Sequence, residues 1–121
     1  MRLALYQPDI PQNVGTLLRT AACFGVGVDV IEPCGFPFSV KALQRSGMDY
    51  LNLVDVKRHA SWDDFIKVHD QARIILLTTK GASAHVETAF EADDILLLGR
   101  ESQGVPDHVH ERADLRVKIP M

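Results

Sequence analysis

Apolar and polar positions run along this chain in short blocks, and the block lengths predict strands alternating with helices. Residues 2–6, 28–31, 51–56, 73–77, 95–98 and 115–119 are apolar-rich runs of four to six residues, the length of strands. Runs 73–77 and 95–98 are close to continuously apolar, as strands covered on both faces are. Residues 13–24 instead place Val14, Leu17, Leu18 and Ala21 at the spacing of one helical face. Pro11 and Asn13 mark the start of that helix, and Gly25 and Gly27 its end. Ser39 caps a short helix running to Ser46. Ser61 opens another, with Trp62, Phe65, Ile66 and His69 on one face, and residues 106–112 form a third short helix. This alternation predicts an α/β fold, an open, mostly parallel sheet with flanking helices. Ligands of such sheets sit beyond the carboxyl ends of the strands.

With 121 residues the chain makes a single domain. Apolar residues at 46% and charged residues at 24% are ordinary for a soluble globular protein. No apolar run approaches the roughly 20 residues of a membrane span, so no membrane partner is expected. The first strand is cut off by Gln7-Pro8-Asp9 too soon for a signal peptide. Cys23 and Cys34 form no Cys-x-x-Cys pair; they read as reduced thiols of a cytoplasmic protein. The net charge of −3 excludes nucleic-acid binding by bulk charge. RNA would have to meet local clusters such as Lys57-Arg58-His59 or the Lys41/Arg45 pair, which are otherwise solvated faces.

The run 115–119 is followed only by Pro120-Met121. Parallel strands need cover on both faces, so a helix missing from this chain, or another subunit, is expected to supply it; the missing helix is the reading preferred.

Three loops follow apolar strands: Thr78-Thr79-Lys80-Gly81, Gly99-Arg100-Glu101-Ser102-Gln103-Gly104 and Ile119-Pro120-Met121. Each is either an ordinary turn or part of a shallow cradle of backbone groups with apolar walls, suited to an adenine and a thioether. On the first helix Arg19 lies roughly 140° from Val14, clear of the apolar face. One turn before it stands Gly15, expected to leave an open surface beside the guanidinium for a phosphate or a second subunit. Other candidates lead nowhere. His85-Val86-Glu87 lacks the cysteine pair of a zinc deaminase, so no metal is expected. His108 and His110, two residues apart on a helix, do not face each other and read as solvated. There is no Walker loop, no GxGxxG and no glycine elbow around a serine nucleophile.

Six segments together resemble the SPOUT superfamily of knotted methyltransferases, specifically its tRNA wobble-nucleotide (cytidine/uridine) 2′-O-methyltransferase branch, the TrmL type. They are Asn13-x-Gly15-x-x-x-Arg19, Ile31-Glu32-Pro33-x-Gly35-Phe36, Arg45-x-Gly47-x-Asp49-Tyr50, Leu77-Thr78-Thr79-Lys80-Gly81, Gly99-x-Glu101-x-x-Gly104 and Ile119-Pro120-Met121. The resemblance spans all 121 residues. It implies a homodimer acting on tRNA, with S-adenosylmethionine held in bent form by a C-terminal trefoil knot. It implies that Leu77, Gly99 and Ile119 contact the cofactor through backbone, with Thr78, Gly104 and Met121 beside them. Arg19 would help activate the ribose hydroxyl in the partner's site, and Asn13 and Glu101 would hold the catalytic loops. The family continues past Ile-Pro-Met with a loop and a long helix that finish the knot. A single domain incomplete at its C-terminus and impaired by truncation is therefore expected. Alternatives are a non-catalytic RNA-binding or dimerisation module on the same scaffold, or a ribosomal RNA 2′-O-methyltransferase.

Overall fold

Ala4, Leu5 and Tyr6 are all buried although they follow one another in the chain, which a strand allows only when both of its faces are covered. They end β1 (Arg2–Tyr6). In the computed structural model, residues 1–39, 41, 52–78, 83–84, 89–100 and 104–118 are described. Among them the chain runs β1, α1 (Pro11–Phe24), β2 (Gly27–Ile31), β3 (Val56–His59), α2 (Trp62–Val68), β4 (Ile74–Thr78), β5 (Ser83–Ala84), β6 (Ile95–Leu98), α3 (Asp107–Arg112) and β7 (Leu115–Lys118). The strands form one sheet in the order β3-β2-β1-β6-β4-β7-β5, and every ladder between them is parallel. The expected α/β class and mostly parallel sheet are what the structure has.

Local chemistry sets the helix limits. Pro11 takes the first position of α1, where its fixed φ suits a helix and its missing N–H costs no bond. Gly25 ends α1 at φ 67° and returns its N–H to the Ala21 and Ala22 carbonyls, a left-handed cap that glycine adopts without strain. Ser61 caps α2 by accepting the Asp64 N–H at 3.1 Å, and Asp63 and Asp64 put negative charge at the positive end of the helix.

Helices on both faces bury two apolar layers. Val14, Leu18 and Ala21 of α1 pack on Leu5, Val28 and Val30. On the other face Trp62 and Phe65 of α2 and Val109 of α3 pack on Ala4, Tyr6, Ile74, Leu76, Ile95 and Leu97. Phe65 and Leu18 are fully enclosed; burial of a side chain of that size stabilises by about 1.5–3 kcal/mol.

Three expectations shift. The strand expected at 51–56 lies instead at Val56–His59, and Asn52-Leu53 form a helical turn. Pairing with β2 decides this, with Val28 opposite Val56 and Ile31 opposite His59. That register seats Val56 against the α1 layer and delivers His59 to a buried acid on β2, which an apolarity count does not detect. Gly15 is buried, so the open helix surface expected beside Arg19 is closed. His110 is half-buried, and its Nδ1 accepts from the Arg116 Nε at 2.9 Å; His108 is exposed as expected. The short helix expected at 39–46, the Gly81 turn and the His85-Val86-Glu87 segment fall outside the described residues, apart from Ser39 and the helical position Lys41.

Candidate functional site

The register of the central strands brings the predicted loops together. Leu98 of β6 pairs with Leu77 of β4, and Leu77 pairs in turn with Val117 of β7. The three carboxyl ends thus emerge side by side, from β6 into Gly99, from β4 through Thr78, and from β7 after Lys118. Leu77 and Thr78 are half-buried at the end of β4. Glu101, Ile119 and Met121 lie outside the described residues, as do Thr79 and Lys80.

The loop after β6 closes on itself. Arg100 and Gly104 exchange both backbone hydrogen bonds, at 3.0 and 2.8 Å. Gly104 makes the turn at φ 68°, and among the described residues nothing lies within 4 Å of where its side chain would point. A Cβ on Gly99, by contrast, would lie 2.8 Å from the Gly104 carbonyl carbon and 3.0 Å from the Val105 Cγ1. Glycine at 99 is therefore required by the loop's own packing. The result is a backbone loop, half-buried leucines and a side of Gly104 that the described residues leave unfilled, an arrangement that fits a flat, largely apolar ligand held by main-chain groups.

A second feature borders the first. β1 leads into α1 on one face of the sheet, while β6 leads towards α3 on the other. Adjacent strands whose connections diverge in this way leave a crevice at their carboxyl ends. A cleft of about 260 Å³ lies there, lined by Leu5, Pro8, Asn13, Thr16, Leu17, Leu98 and Gly99. That is below the roughly 300–1,000 Å³ of sites enclosing a whole cofactor-sized molecule, so the cleft suits a sugar or a side chain. Gly99 is the wall common to cleft and loop. Asn13 is exposed in the first turn of α1, and Arg19 is exposed further along the same helix.

Cross-links sew these loops to one another. The Arg100 Nε donates to the Gln7 carbonyl at 3.0 Å, tying the β6 loop to the segment that seeds α1. Gln7 itself sits at φ 42° and donates its N–H to Ile31 at 2.8 Å. Gly35 donates to the Pro8 carbonyl at 2.9 Å, and a Cβ there would meet Asp9 at 2.7 Å. Burial raises the pKa of Tyr6, against the opposing influence of the Arg100 charge. Sequence reading missed Arg100 because it left that position, like 102 and 103, unspecified between the two glycines.

The expected basic cluster is dispersed. Successive residues of a strand face opposite sides, so Arg58 turns to Glu32, which it grips through Nε at 3.2 Å and Nη2 at 2.6 Å, and lies over the Phe38 ring. Lys57 is exposed, 4.0 Å from Asp55, and His59 points inward. Arg45 is outside the described residues and Lys41 is exposed.

Inside the sheet, Asp29 accepts from three side chains. Its Oδ1 takes the Arg2 Nε, and its Oδ2 lies 2.7 Å from the His59 Nε2 and 2.6 Å from the His69 Nε2. Burial pushes this carboxyl up, and the hydrogen bonds from Arg2, His59 and His69 outweigh it, so its pKa lies below the ordinary carboxylate value. A lone acid inside the run Gly27-Val28-Asp29-Val30-Ile31 was the available sequence signal.

Comparison with known proteins fits this architecture. The model of the SpoU rRNA methylase family matches residues 1–121. This chain belongs to the SpoU methylase family. It is 52% identical over 121 residues to the tRNA (cytidine(34)-2'-O)-methyltransferase of Beijerinckia indica, covering 98% of this chain and 76% of that protein. It is similar, at TM-score 0.90 and 40% identity, to a structure described as giving insight into 2-OH methylation of C/U34 on tRNA, covering 99% of this chain and 79% of that one. An AdoMet-bound rRNA methyltransferase from Sinorhizobium meliloti matches at TM-score 0.84 and 25% identity, over 99% of this chain and 47% of the other. Among the described residues no helix is long and apolar enough to cross a membrane.

Proposed function

We propose that this SpoU-family chain transfers the methyl group of S-adenosylmethionine to the ribose 2′-hydroxyl of a tRNA, at the wobble nucleotide, position 34. The observation that carries the reading is the side-by-side emergence of the β6, β4 and β7 ends in one register, bordered at Gly99 by a sugar-sized cleft. The names of the relatives add the substrate: one half-identical relative is a cytidine-34 tRNA methyltransferase, and a less similar one is a structure with AdoMet bound.

In this reading the cofactor lies against Leu77, Thr78, Gly99 and Gly104, with Ile119 and Met121 completing its seat. S-adenosylmethionine supplies a sulfonium that activates the methyl group and leaves as a thioether. The protein's work is then positioning, which for an in-line transfer supplies most of the acceleration. The ribose enters the cleft lined by Pro8, Asn13 and Leu17. Arg19, exposed on α1, orients and activates the hydroxyl in the site of a partner protomer, while Asn13 and Glu101 hold the loops. The chain works as one domain of a homodimer, with a trefoil knot around the cofactor, in the cytoplasm. The methyl transfer itself calls on no metal.

The test is to incubate the purified protein with S-adenosylmethionine and unmodified tRNA, and to map 2′-O-methyl marks by position. A mark at nucleotide 34 is expected. Marks only on ribosomal RNA would move the substrate to the ribosome. Cofactor binding without transfer to any RNA would refute the reading in favour of a non-catalytic RNA-binding module.

A further inference from the structure

We propose that Asp29, His59 and His69 form a binding site for a divalent transition metal of the zinc class, at the β2–β3 side of the sheet and separate from the methyl-transfer site. The inference does not rest on the proposed reaction. Three donor atoms converge: the Asp29 Oδ2 and the two imidazole Nε2 atoms all lie within 4.8 Å of one another. Two histidines and one carboxylate are ligands zinc accepts, with imidazole favouring it over magnesium or calcium.

The three residues come from separate elements, each of them fixed. Asp29 sits in mid-β2 between Ala4 of β1 and Lys57 of β3. His59 ends β3, and its ring packs edge-on against Phe65 at 5.3 Å. His69 closes α2, its N–H bonded to the Phe65 carbonyl. Asp29 and His59 are buried, while His69 retains 14% of its side-chain surface, which leaves a way in for an ion.

Asp29 is also oriented as a ligand is. Both imidazoles address Oδ2 while Arg2 holds Oδ1, the kind of outer contact that fixes a ligating carboxylate. The arginine does not cancel the site's charge by itself. Its Nη1 pairs with the Asp55 carboxylate at 2.9 Å, and its Nη2 donates to the Val28 and Asp55 carbonyls. Asp55 thus offsets the guanidinium and leaves the Asp29 charge to a cation.

Without metal, each imidazole donates an Nε2–H to Oδ2. With metal, the same nitrogens offer lone pairs and carry their protons on Nδ1. Ligands about 2.0–2.1 Å from a tetrahedral ion stand about 3.3 Å apart. Each ring therefore needs to recede by about 0.6–0.7 Å from its present hydrogen bond and to tilt so that its Nε2 lone pair faces the ion. The ion would clamp the end of α2 to the edge strand β3, a structural role.

The test uses the wild-type protein stripped of metal and titrated with Co²⁺, then Zn²⁺. One Co²⁺ per chain with visible d–d absorption, displaced by Zn²⁺, is expected. X-ray absorption of the Zn²⁺ form should show two imidazole nitrogens and a carboxylate oxygen, without sulfur. Zn²⁺ at a hundred times its Kd should raise Tm by several degrees. His69→Ala should weaken binding by more than the roughly 10–100-fold that loss of an outer-shell partner costs. If His69→Ala fails to fold, the absorption spectrum of the wild type still decides. The proposal is overturned by no uptake of either ion, by sulfur ligation at Cys23 or Cys34, or by binding unchanged in both His69→Ala and His59→Gln.

Discussion

Gly99 and Gly104 stand so close that a Cβ on the first would meet the carbonyl carbon of the second at 2.8 Å. The β6 loop is therefore closed by a backbone-to-backbone contact, and the turn at Gly104 depends on it. Gly99→Ala should open the Arg100–Gly104 bridge and lower stability by about 1–3 kcal/mol, as overpacking does. S-adenosylmethionine affinity should fall at least tenfold, measured by calorimetry beside a thermal melt. A Cβ at position 99 meets the loop itself first.

Arg19 is exposed on α1, away from the apolar layer that Val14, Leu18 and Ala21 build. Arg19→Ala should leave the melting temperature and cofactor affinity within about twofold of wild type. Methyl transfer to tRNA should fall by about 10²–10³, the range seen when one transition-state donor is removed. Loss of cofactor binding in parallel with rate would remove the role assigned to it.

Gly27 makes room for the Arg2 guanidinium, whose Cζ would lie 2.5 Å from a Cβ at that position. The guanidinium is pinned by Asp29, Asp55 and two carbonyls, so it cannot move aside without leaving a buried carboxylate short of a partner. Gly27→Ala should cost about 1–3 kcal/mol. Arg2→Met combined with Gly27→Ala should cost little more than Arg2→Met alone, and a double-mutant cycle by urea denaturation measures that coupling.

Two buried acids govern the acid limb of stability. Asp29 is held below its ordinary pKa by hydrogen bonds that outweigh burial, and Asp94 by the paired Arg73 guanidinium first, with the Glu91 N–H assisting. A carboxylate whose folded pKa is depressed contributes stability that is present above its unfolded pKa, about 3.9. That stability is lost as pH falls through the folded value. Tm should therefore hold above about pH 4 and drop below it. Asp94→Asn should lower Tm at pH 7 and flatten that acid drop.

The thiols should separate by reactivity. Burial and then the nearby Glu32 carboxylate push Cys34 up to about 11, while Cys23 is exposed. At pH 8 roughly one Cys34 in a thousand is thiolate, the reactive form. Iodoacetamide should modify Cys23 first, with Cys34 at least tenfold slower by peptide mass spectrometry.

Most strands and helices were readable along the chain because their signals are local. Short continuous apolar runs, one apolar face at helical spacing, Pro11 at a helix start, Gly25 at its end and Ser61 as a cap are each set within a few residues. β3 was not readable, since its placement is decided by Asp29, which lies across the ladder and receives His59. The basic run Lys57-Arg58-His59 illustrates the same limit. The pleat sends Arg58 to the face opposite Lys57 and His59, where it meets a carboxylate 26 positions away.

By itself the sequence determined the α/β class, the parallel sheet and the loops at strand ends, because pattern and glycine placement act over a few residues. It also marked Arg19, Gly99 and Gly104 by residue type and spacing, and Asn13 through the family resemblance. Only the tertiary structure decided that β6 inserts between β1 and β4, setting Gly99 between a cleft and a loop. Likewise only the fold joined Asp29 to His69 across 40 positions at 2.6 Å. Such contacts depend on strand order and helix docking, which are settled by burial of both sheet faces together and leave no periodic trace in the chain.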